Sequence, residues 1–307
     1  MQDTVIVGGS FAGLSAALQL GRARRKVTVV NSGSPRNAPS QAAHGVPGWD
    51  GTKPANILEK FRNDVDAYPS IGFVEDKVTR VQAIDGGFEV AMASTKVVKS
   101  KRIILAHGVH DTLPDIPGAR EAWGRTLLHC PYCHGYEVRD RPLAVLANHA
   151  MSGHQAELLR SDWSDEVTVL TGTAGDFDIN SVEENRFSHD PRSVVRLASG
   201  NSGVTVTFQD GQTAEFAAIF VAPRVSFGGT PAADLGCATA DGPLGPYVQV
   251  GLMGQTSVAG VFAAGDCARP GHNVTSAIGD GATAGIGCHQ SLIFPTFVQP
   301  LEDSSHD

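Results

Sequence analysis

The segment that most constrains the fold lies near residue 1. Thr4-Val5-Ile6-Val7 reads as a buried parallel strand, Gly8-Gly9-Ser10-Phe11-Ala12-Gly13 as a tight turn, and Leu14 to about Arg24 as a helix with apolar periodicity. Lys26 to Val30 (KVTVV) reads as the next strand. This is a βαβ unit with a glycine-rich first turn, a shape that seats a dinucleotide pyrophosphate on a helix N-terminus. Gly8 and Gly13 take the first and third glycine positions of that fingerprint, and Ser10 takes the second. Serine is small enough to preserve close phosphate approach. At the end of the second strand, where an acid is expected to hold a ribose, the chain has Asn31, which still hydrogen-bonds a hydroxyl.

A second βαβ unit follows later. Pro142 to Ala147 reads as a strand, Ser152 to Arg160 as a helix and Val167 to Leu170 as a strand. Its turn, Ala147-Asn148-His149-Ala150-Met151-Ser152, has no glycine before Gly153, and side chains at those places obstruct a pyrophosphate. The next turn, Thr171-Gly172-Thr173-Ala174-Gly175, carries neither a cation for an NADP phosphate nor an acid for an NAD ribose.

Between the two units stands His129-Cys130-Pro131-Tyr132-Cys133-His134-Gly135-Tyr136-Glu137. Two cysteines two residues apart can close a redox-active ring, and Pro131 narrows the shapes of the loop. The thiolate is the reactive species in such a loop, and His129 and His134 can move protons near neutral pH. Half a zinc site and a pair of buried thiols are the competing readings. However, Cys237, Cys267 and Cys288 are scattered singly, and no histidine pair after the motif has ligand spacing. Those three cysteines read as small buried hydrophobes.

The remaining segments fit around these features. Ser32 to Asp50 is a polar, turn-rich loop containing Pro35-Arg36-Asn37-Ala38, His44-Gly45 and Trp49. A helix is expected near Asn56–Ala67, an antiparallel set over Phe73–Val98 and a buried strand over Lys101–Ala106 ending in His107-Gly108. Linkers are expected at Pro114–Gly118 and near Ala240–Pro246. Val258–Ala264 reads as a strand leading into Gly265-Asp266-Cys267, and Asn273 opens a small-residue helix to about Gln290. Phe294 and Phe297 read as sealing a core edge.

With 307 residues, 41% of them hydrophobic, the chain can bury a sizeable core as one large or two medium domains. A net charge of −8 argues against a nucleic-acid surface, and no apolar run approaches the ~20 residues that span a bilayer. The first strand starts almost at Met1 with no signal peptide ahead of it, and five cysteines do not suit a secreted disulfide framework. A cytoplasmic protein that binds neither membrane nor nucleic acid is expected, with an α/β fold of two Rossmann-like, three-layer dinucleotide-binding domains, the second inserted in the first. The boundaries are set at 1–112 and 244–307 for the first domain and 113–243 for the insert.

This order of parts resembles the low-molecular-weight thioredoxin reductase family of FAD-dependent pyridine nucleotide-disulfide oxidoreductases, over nearly the whole chain. The residues that carry the likeness are Gly8 to Gly13, Ala106-His107-Gly108, the CxxC, and Gly260-Val261-Phe262-Ala263-Ala264-Gly265-Asp266. The resemblance implies FAD contacts at Gly8, Ser10, Gly13, Asn31, Asn37 and Asp266 and at backbone groups near Val274 and Thr275. It also implies a CxxC against the flavin ring with the second cysteine nearer, and a homodimer. Three departures set the chain apart from ordinary members: the glycine-free second turn, the missing cluster of arginines after the next strand, and His134 in place of an acid after Cys133. With the Pro35–Ala38 loop and His129, these look like the dithiol oxidase branch, which closes disulfides in gliotoxin- and holomycin-type natural products and passes electrons to dioxygen. That likeness implies Cys130 and Cys133 as the redox pair, with His129, or alternatively His134, as the base for substrate thiols. The alternatives are a thioredoxin-disulfide reductase fed by NADPH, ferredoxin or another flavin, and a flavin-binding redox sensor without turnover.

Overall fold

The computed structural model describes residues 1–172, 177, 188–294 and 300. Residues 173–175 of the second unit's later turn, and Phe297, lie outside them. Helices among the described residues are α1 (Phe11–Arg22), α2 (Pro54–Asp66), α3 (Ala119–Ala122), α4 (Pro131–Val138), α5 (Ser152–Asp162), α6 (Pro231–Asp234) and α7 (Val274–Ile293). None is long and apolar enough to cross a membrane. The chain divides into two compact units. One holds Met1–Arg36, Ala55–His110 and the described residues from Val225 onward; the other holds Asn37–Pro54 and the described residues of Asp111–Arg224.

The first unit is built on a mixed sheet. Its parallel part runs Ile71–Glu75, Val27–Asn31, Gln2–Val7, Val97–Leu105. The last of these strands changes partner along its length. Val97–Ser100 pairs antiparallel with Gly87–Met92, and Ile103–Leu105 pairs parallel with Val261–Ala263. Val78–Ile84 and Gly87–Met92 form the expected hairpin about Asp85-Gly86. Phe73, expected in that antiparallel set, instead lies on a parallel strand beside Val27–Asn31, because α2 supplies a crossover.

The near-continuous burial of Thr4–Val7 and Val27–Val30 marks strands covered on both faces. One cover is the pair α1 and α7. A Cβ on Gly281 would stand 2.1 Å from the Ala12 carbonyl oxygen, and one on Gly285 would stand 2.9 Å from that of Ala16. The small-residue composition of α7 thus permits close helix approach, and the Ser15 hydroxyl adds a 2.7 Å bond to the Ile278 carbonyl.

In the second unit a parallel sheet runs Ser188–Asp190, Val167–Leu170, Leu143–Leu146, Ala218–Phe220, Leu127–Leu128. Leu143, Val145 and Ala147 belong to one apolar cluster and Ala144 and Leu146 to another, so the strand's two-residue period feeds cores on both faces. An antiparallel sheet of Val194–Ser199, Val204–Phe208 and Thr213–Phe216 contributes Leu197, Val206 and Phe208 to the second cluster.

Three segments differ from the sequence expectation. The chain returns to the first unit at Val225, ahead of the boundary set at 243/244. Ala240–Pro246, expected as a linker, lies across an antiparallel hairpin of Thr239–Asp241 and Pro246–Val248, closed by the Gly242 N–H on the Gly245 carbonyl at 2.9 Å. Gly-Pro-rich composition suits a linker and a tight turn equally. Asn37–Pro54, read as a polar loop of the first domain, belongs to the second unit.

Candidate active site: a dithiol loop and a dinucleotide turn

The dithiol loop stands at the start of α4. Cys130 is its N-cap, in extended conformation, and Pro131 follows at the first helical position, where a missing N–H costs nothing. The Cys133 N–H donates to the Cys130 carbonyl at 3.2 Å, and the two sulfurs stand 2.6 Å apart. The loop therefore sits at the positive end of a helix, which suits a thiolate.

Helix α4 is fixed to α5 at two places. The Gln155 side-chain amide donates to the carbonyl of His129, the residue just before the pair. One turn on, Gly135 lies so close to Trp163 that a Cβ would come within 2.9 Å of the indole, and Tyr132 meets the same indole edge-on at 5.5 Å. Gln155 is buried on the apolar face of α5 with Ala156 and Leu159. A glutamine at a core position was the sequence signal for this tether.

Helical spacing puts Cys130, Cys133, His134 and Glu137 on one stripe of α4. Burial pushes the His134 imidazole below its ordinary pKa; the neighbouring His44 pushes the same way, and Glu137 opposes both. His134 is therefore neutral at neutral pH and able to accept a proton. His44 comes from the Asn37–Pro54 segment and stands between two carboxylates, 3.5 Å from Asp50 Oδ1 and 3.6 Å from Glu137 Oε1. The sequence marked it only as part of a polar loop, and the separation of about ninety residues from α4 hides the pairing.

Cys237, Cys267 and Cys288 are buried, and burial raises each thiol, to about 12 for Cys267 and Cys288. They stay protonated and unreactive across the neutral range.

The dinucleotide turn belongs to the first unit. Gly8 has a φ of 113°, and a Cβ there would stand 2.1 Å from the Ala106 carbonyl oxygen. A Cβ on Gly13 would fall 1.8 Å from the Gly8 carbonyl oxygen. Ser10 is the N-cap of α1 and makes no side-chain cap bond, so it leaves the first-turn N–H groups of α1 unclaimed.

Asn31 ends the second strand opposite Glu75. Its Nδ2 donates to Glu75 Oε2 at 2.8 Å, and its Oδ1 accepts from Gly33 N–H at 3.2 Å. The acid absent from position 31 thus stands one strand away. Asp266 lies in the short 3-10 turn Gly265–Ala268, 3.0 Å from Arg36 Nη1. Val274 and Thr275 open α7, which Asn273 caps through the Ser276 N–H at 2.7 Å. Of the expected cofactor contacts, Gly8, Ser10, Gly13, Asn31, Asp266, Val274 and Thr275 share the first unit, and Asn37 falls in the second.

His107 completes this region. Its Nδ1 lies 3.1 Å from the Gly108 carbonyl, its ring meets Phe227 edge-on, and its Nε2 is buried with no hydrogen-bond partner. Burial holds it neutral, with its pKa down to about 4.

The sequence pattern of one family, described as pyridine nucleotide-disulphide oxidoreductase, matches residues 2–281. The chain belongs to this family. Its relatives include the thioredoxin reductase sirT of Leptosphaeria maculans, 31% identical over 306 residues that cover 93% of this chain and 92% of that protein. The thioredoxin reductase tcpT of Claviceps purpurea is 34% identical and covers 92% of each. Among solved structures, an oxidoreductase from Agrobacterium tumefaciens matches with a TM-score of 0.88 at 38% identity, over 96% of this chain and 99% of that one. HlmI matches at 0.86 and 36% identity, over 95% and 92%.

The protein is therefore an enzyme, a thioredoxin reductase-like oxidoreductase of FAD-dependent type. The first unit fits that cofactor. Its turn is stripped of side chains at Gly8 and Gly13, the helix behind it lacks a cap of its own, and a buried imidazole nitrogen nearby lacks a partner. A dinucleotide pyrophosphate supplies the anion that such a helix start takes.

Proposed function

We propose that the protein oxidises a small-molecule dithiol to its disulfide through Cys130 and Cys133, with FAD as electron carrier and dioxygen as final acceptor. The observation that carries this reading is the turn before α5. There the His149 Nδ1 accepts the Met151 N–H at 3.1 Å, and the Ser152 hydroxyl accepts the His149 N–H at 3.3 Å and donates to the Leu146 carbonyl at 3.2 Å. Side chains of the chain itself occupy backbone donors that a nicotinamide dinucleotide would need, which leaves the dithiol as the natural source of electrons.

A substrate thiolate attacks Cys130 of the Cys130–Cys133 disulfide, and Cys133 leaves as thiolate. The second substrate thiol displaces Cys130, and the product departs as a disulfide with both cysteines reduced. A histidine flanking the loop, His129 or His134, takes the substrate thiol protons. The residues of the first unit expected to hold FAD are Gly8, Ser10, Gly13, Asn31, Asp266, Val274 and Thr275; the flavin would supply the acceptor for the two electrons of the reduced pair, and dioxygen, taking them in turn, would leave as hydrogen peroxide. The same reading places the enzyme in the cytoplasm as a homodimer, with the CxxC on the inserted domain.

The names of sirT and tcpT favour a second reading, a thioredoxin-disulfide reductase with the same residues and reversed electron flow. An anaerobic titration of the purified yellow protein separates the two. Bleaching of the flavin by dithiothreitol and not by NADPH, with recovery in air, is the expected result. Rapid stoichiometric bleaching by NADPH overturns the oxidase reading.

A further inference from the structure

We propose that Glu75, at the end of the strand beside Val27–Asn31, binds the adenosine ribose of FAD and so supplies the acid that position 31 lacks. The proposal rests on the placement of that cofactor at the bare turn before α1, and it adds to it a binding residue from a neighbouring strand.

Three observations support it. First, strand register sets the two residues side by side. Ile71–Glu75 runs parallel to Val27–Asn31 with Glu75 opposite Asn31. The Asp76 N–H donates to the Asn31 carbonyl at 2.9 Å, so the pairing holds to the strand end. Opposed residues of paired strands present their side chains on one face, and here the Asn31 Nδ2 donates to Glu75 Oε2 at 2.8 Å. Second, the pair borders the dinucleotide turn. A Cβ on Gly9 would stand 2.7 Å from the Asn31 Cβ and 2.8 Å from its Cγ, so the amide side chain lies against the turn backbone. Third, Glu75 is held in place. Arg62 of α2 donates from Nη1 to Glu75 Oε1 at 3.1 Å. The same guanidinium lies 3.3 Å from the centre of the Phe73 ring, and its Nε bonds Asp66 Oδ1 at 3.1 Å.

Counting donors and acceptors decides which residue does what. A ribose presents two adjacent hydroxyls, each with a proton to donate. Asn31 Oδ1 already accepts the Gly33 N–H at 3.2 Å, and the second N–H of the amide can only donate. Glu75 has one bond on each carboxylate oxygen, and each such oxygen can accept two. The pair thus offers carboxylate acceptors beside an amide donor, a set that meets a hydroxyl in both of its roles. In the usual dinucleotide unit an acid at the end of the second strand does this. Here the next strand delivers it. The same negative charge repels a phosphate on the ribose, so the subsite takes an unphosphorylated adenosine. The Glu75 side chain is 60% exposed, which leaves its carboxylate open to a ligand.

The test is a fluorescence titration of the FAD-free full chain with FAD and with two analogues whose adenosine ribose lacks the 2′- or the 3′-hydroxyl. Wild type should bind FAD roughly tenfold tighter than at least one analogue, as befits a charge-assisted hydrogen bond at a half-open site. Glu75→Ala should weaken FAD by a similar factor and lose most of that preference. Glu75→Gln, which keeps the size of the side chain, should fall between the two. A wild-type preference that survives unchanged in Glu75→Ala would leave Glu75 as an ion-pair partner of Arg62 and overturn the proposal. Equal binding of FAD and both analogues by wild type overturns it as well. Retained flavin in Gly13→Val would overturn the placement of FAD at this turn, which is a different failure.

Discussion

The two βαβ turns of this chain have the same local architecture and opposite chemistry. Before α1 the backbone is bare: Gly8 and Gly13 carry no side chains, and Ser10 makes no side-chain cap. Before α5 the corresponding stretch is self-satisfied, with the His149 imidazole and the Ser152 hydroxyl bonded to backbone groups of the turn and of the strand behind it. A helix N-terminus is an anion site only while its donors are free. The contrast therefore teaches that one βαβ frame can carry either a turn with bare backbone donors or a turn whose donors its own side chains take. In the second unit that frame serves as support, because α5 carries Gln155 and ends at Trp163, the two anchors of α4.

The harshest way to break the comparison is to put a side chain into the bare turn. Gly13→Val would drive a branched Cβ to within 1.8 Å of the Gly8 carbonyl oxygen, a backbone atom that cannot step aside without opening the turn. The expected outcome is loss of bound FAD, read as the flavin-to-protein absorbance ratio, with a destabilisation of about 3 kcal/mol or more, as for severe overpacking. The same change at Ala150, in the turn before α5, should leave FAD content unaltered. Retained flavin in Gly13→Val would show that the cofactor does not depend on this turn.

A smaller effect separates the histidines beside the two turns. Burial depresses His107 from 6.5 to about 4, so the unfolded chain takes up a proton in that interval and the folded one does not. The stability linked to its neutral form is complete above about pH 6.5 and is lost as the pH falls toward 4, a loss of no more than about 3 kcal/mol. His107→Leu cannot take up that proton. In urea unfolding the advantage of wild type over this variant should therefore shrink as the pH falls from 7 to 4.5. His149 is also lowered by burial, with Arg224 adding to the shift, so its variant should show the same sign. A wild-type advantage that grows on acidification would mean that His107 is protonated in the fold.

How far the site could be read from the sequence depended on distance along the chain. The glycine turn, the CxxC and its flanking histidines are each one short segment, and their chemistry follows from spacing. The parallel strands were legible because burial on both faces leaves continuous apolar runs such as Val27–Val30. His44 and Glu75 were not legible. Each acts through a contact with a residue far from it in sequence, Glu137 for one and Asn31 for the other, and only strand register or loop placement brings them together. The Gly-Pro stretch at Gly242–Gly245 failed for a different reason: its composition fits a linker and a hairpin turn alike, and the flanking strands are only three residues each.

The finest test compares one substitution in each turn. His149 is 4% exposed, and its Nδ1 is the acceptor for the Met151 N–H. His149→Phe keeps a ring in the space and removes the acceptor, leaving a half-buried N–H unpaired at a cost of about 1 kcal/mol. Ser10→Ala removes a hydroxyl that makes no cap bond, so the FAD-free protein should lose no more than about 0.5 kcal/mol. FAD binding should reverse the order. Ser10→Ala is expected to weaken FAD severalfold if the hydroxyl donates to the cofactor, and His149→Phe should leave FAD affinity unchanged. Urea unfolding of the FAD-free variants, followed by fluorescence titration with FAD, reads both quantities on the same samples. Equal costs in the FAD-free protein would mean that side-chain capping does not distinguish the turns, and that the glycines alone decide which of them receives a dinucleotide.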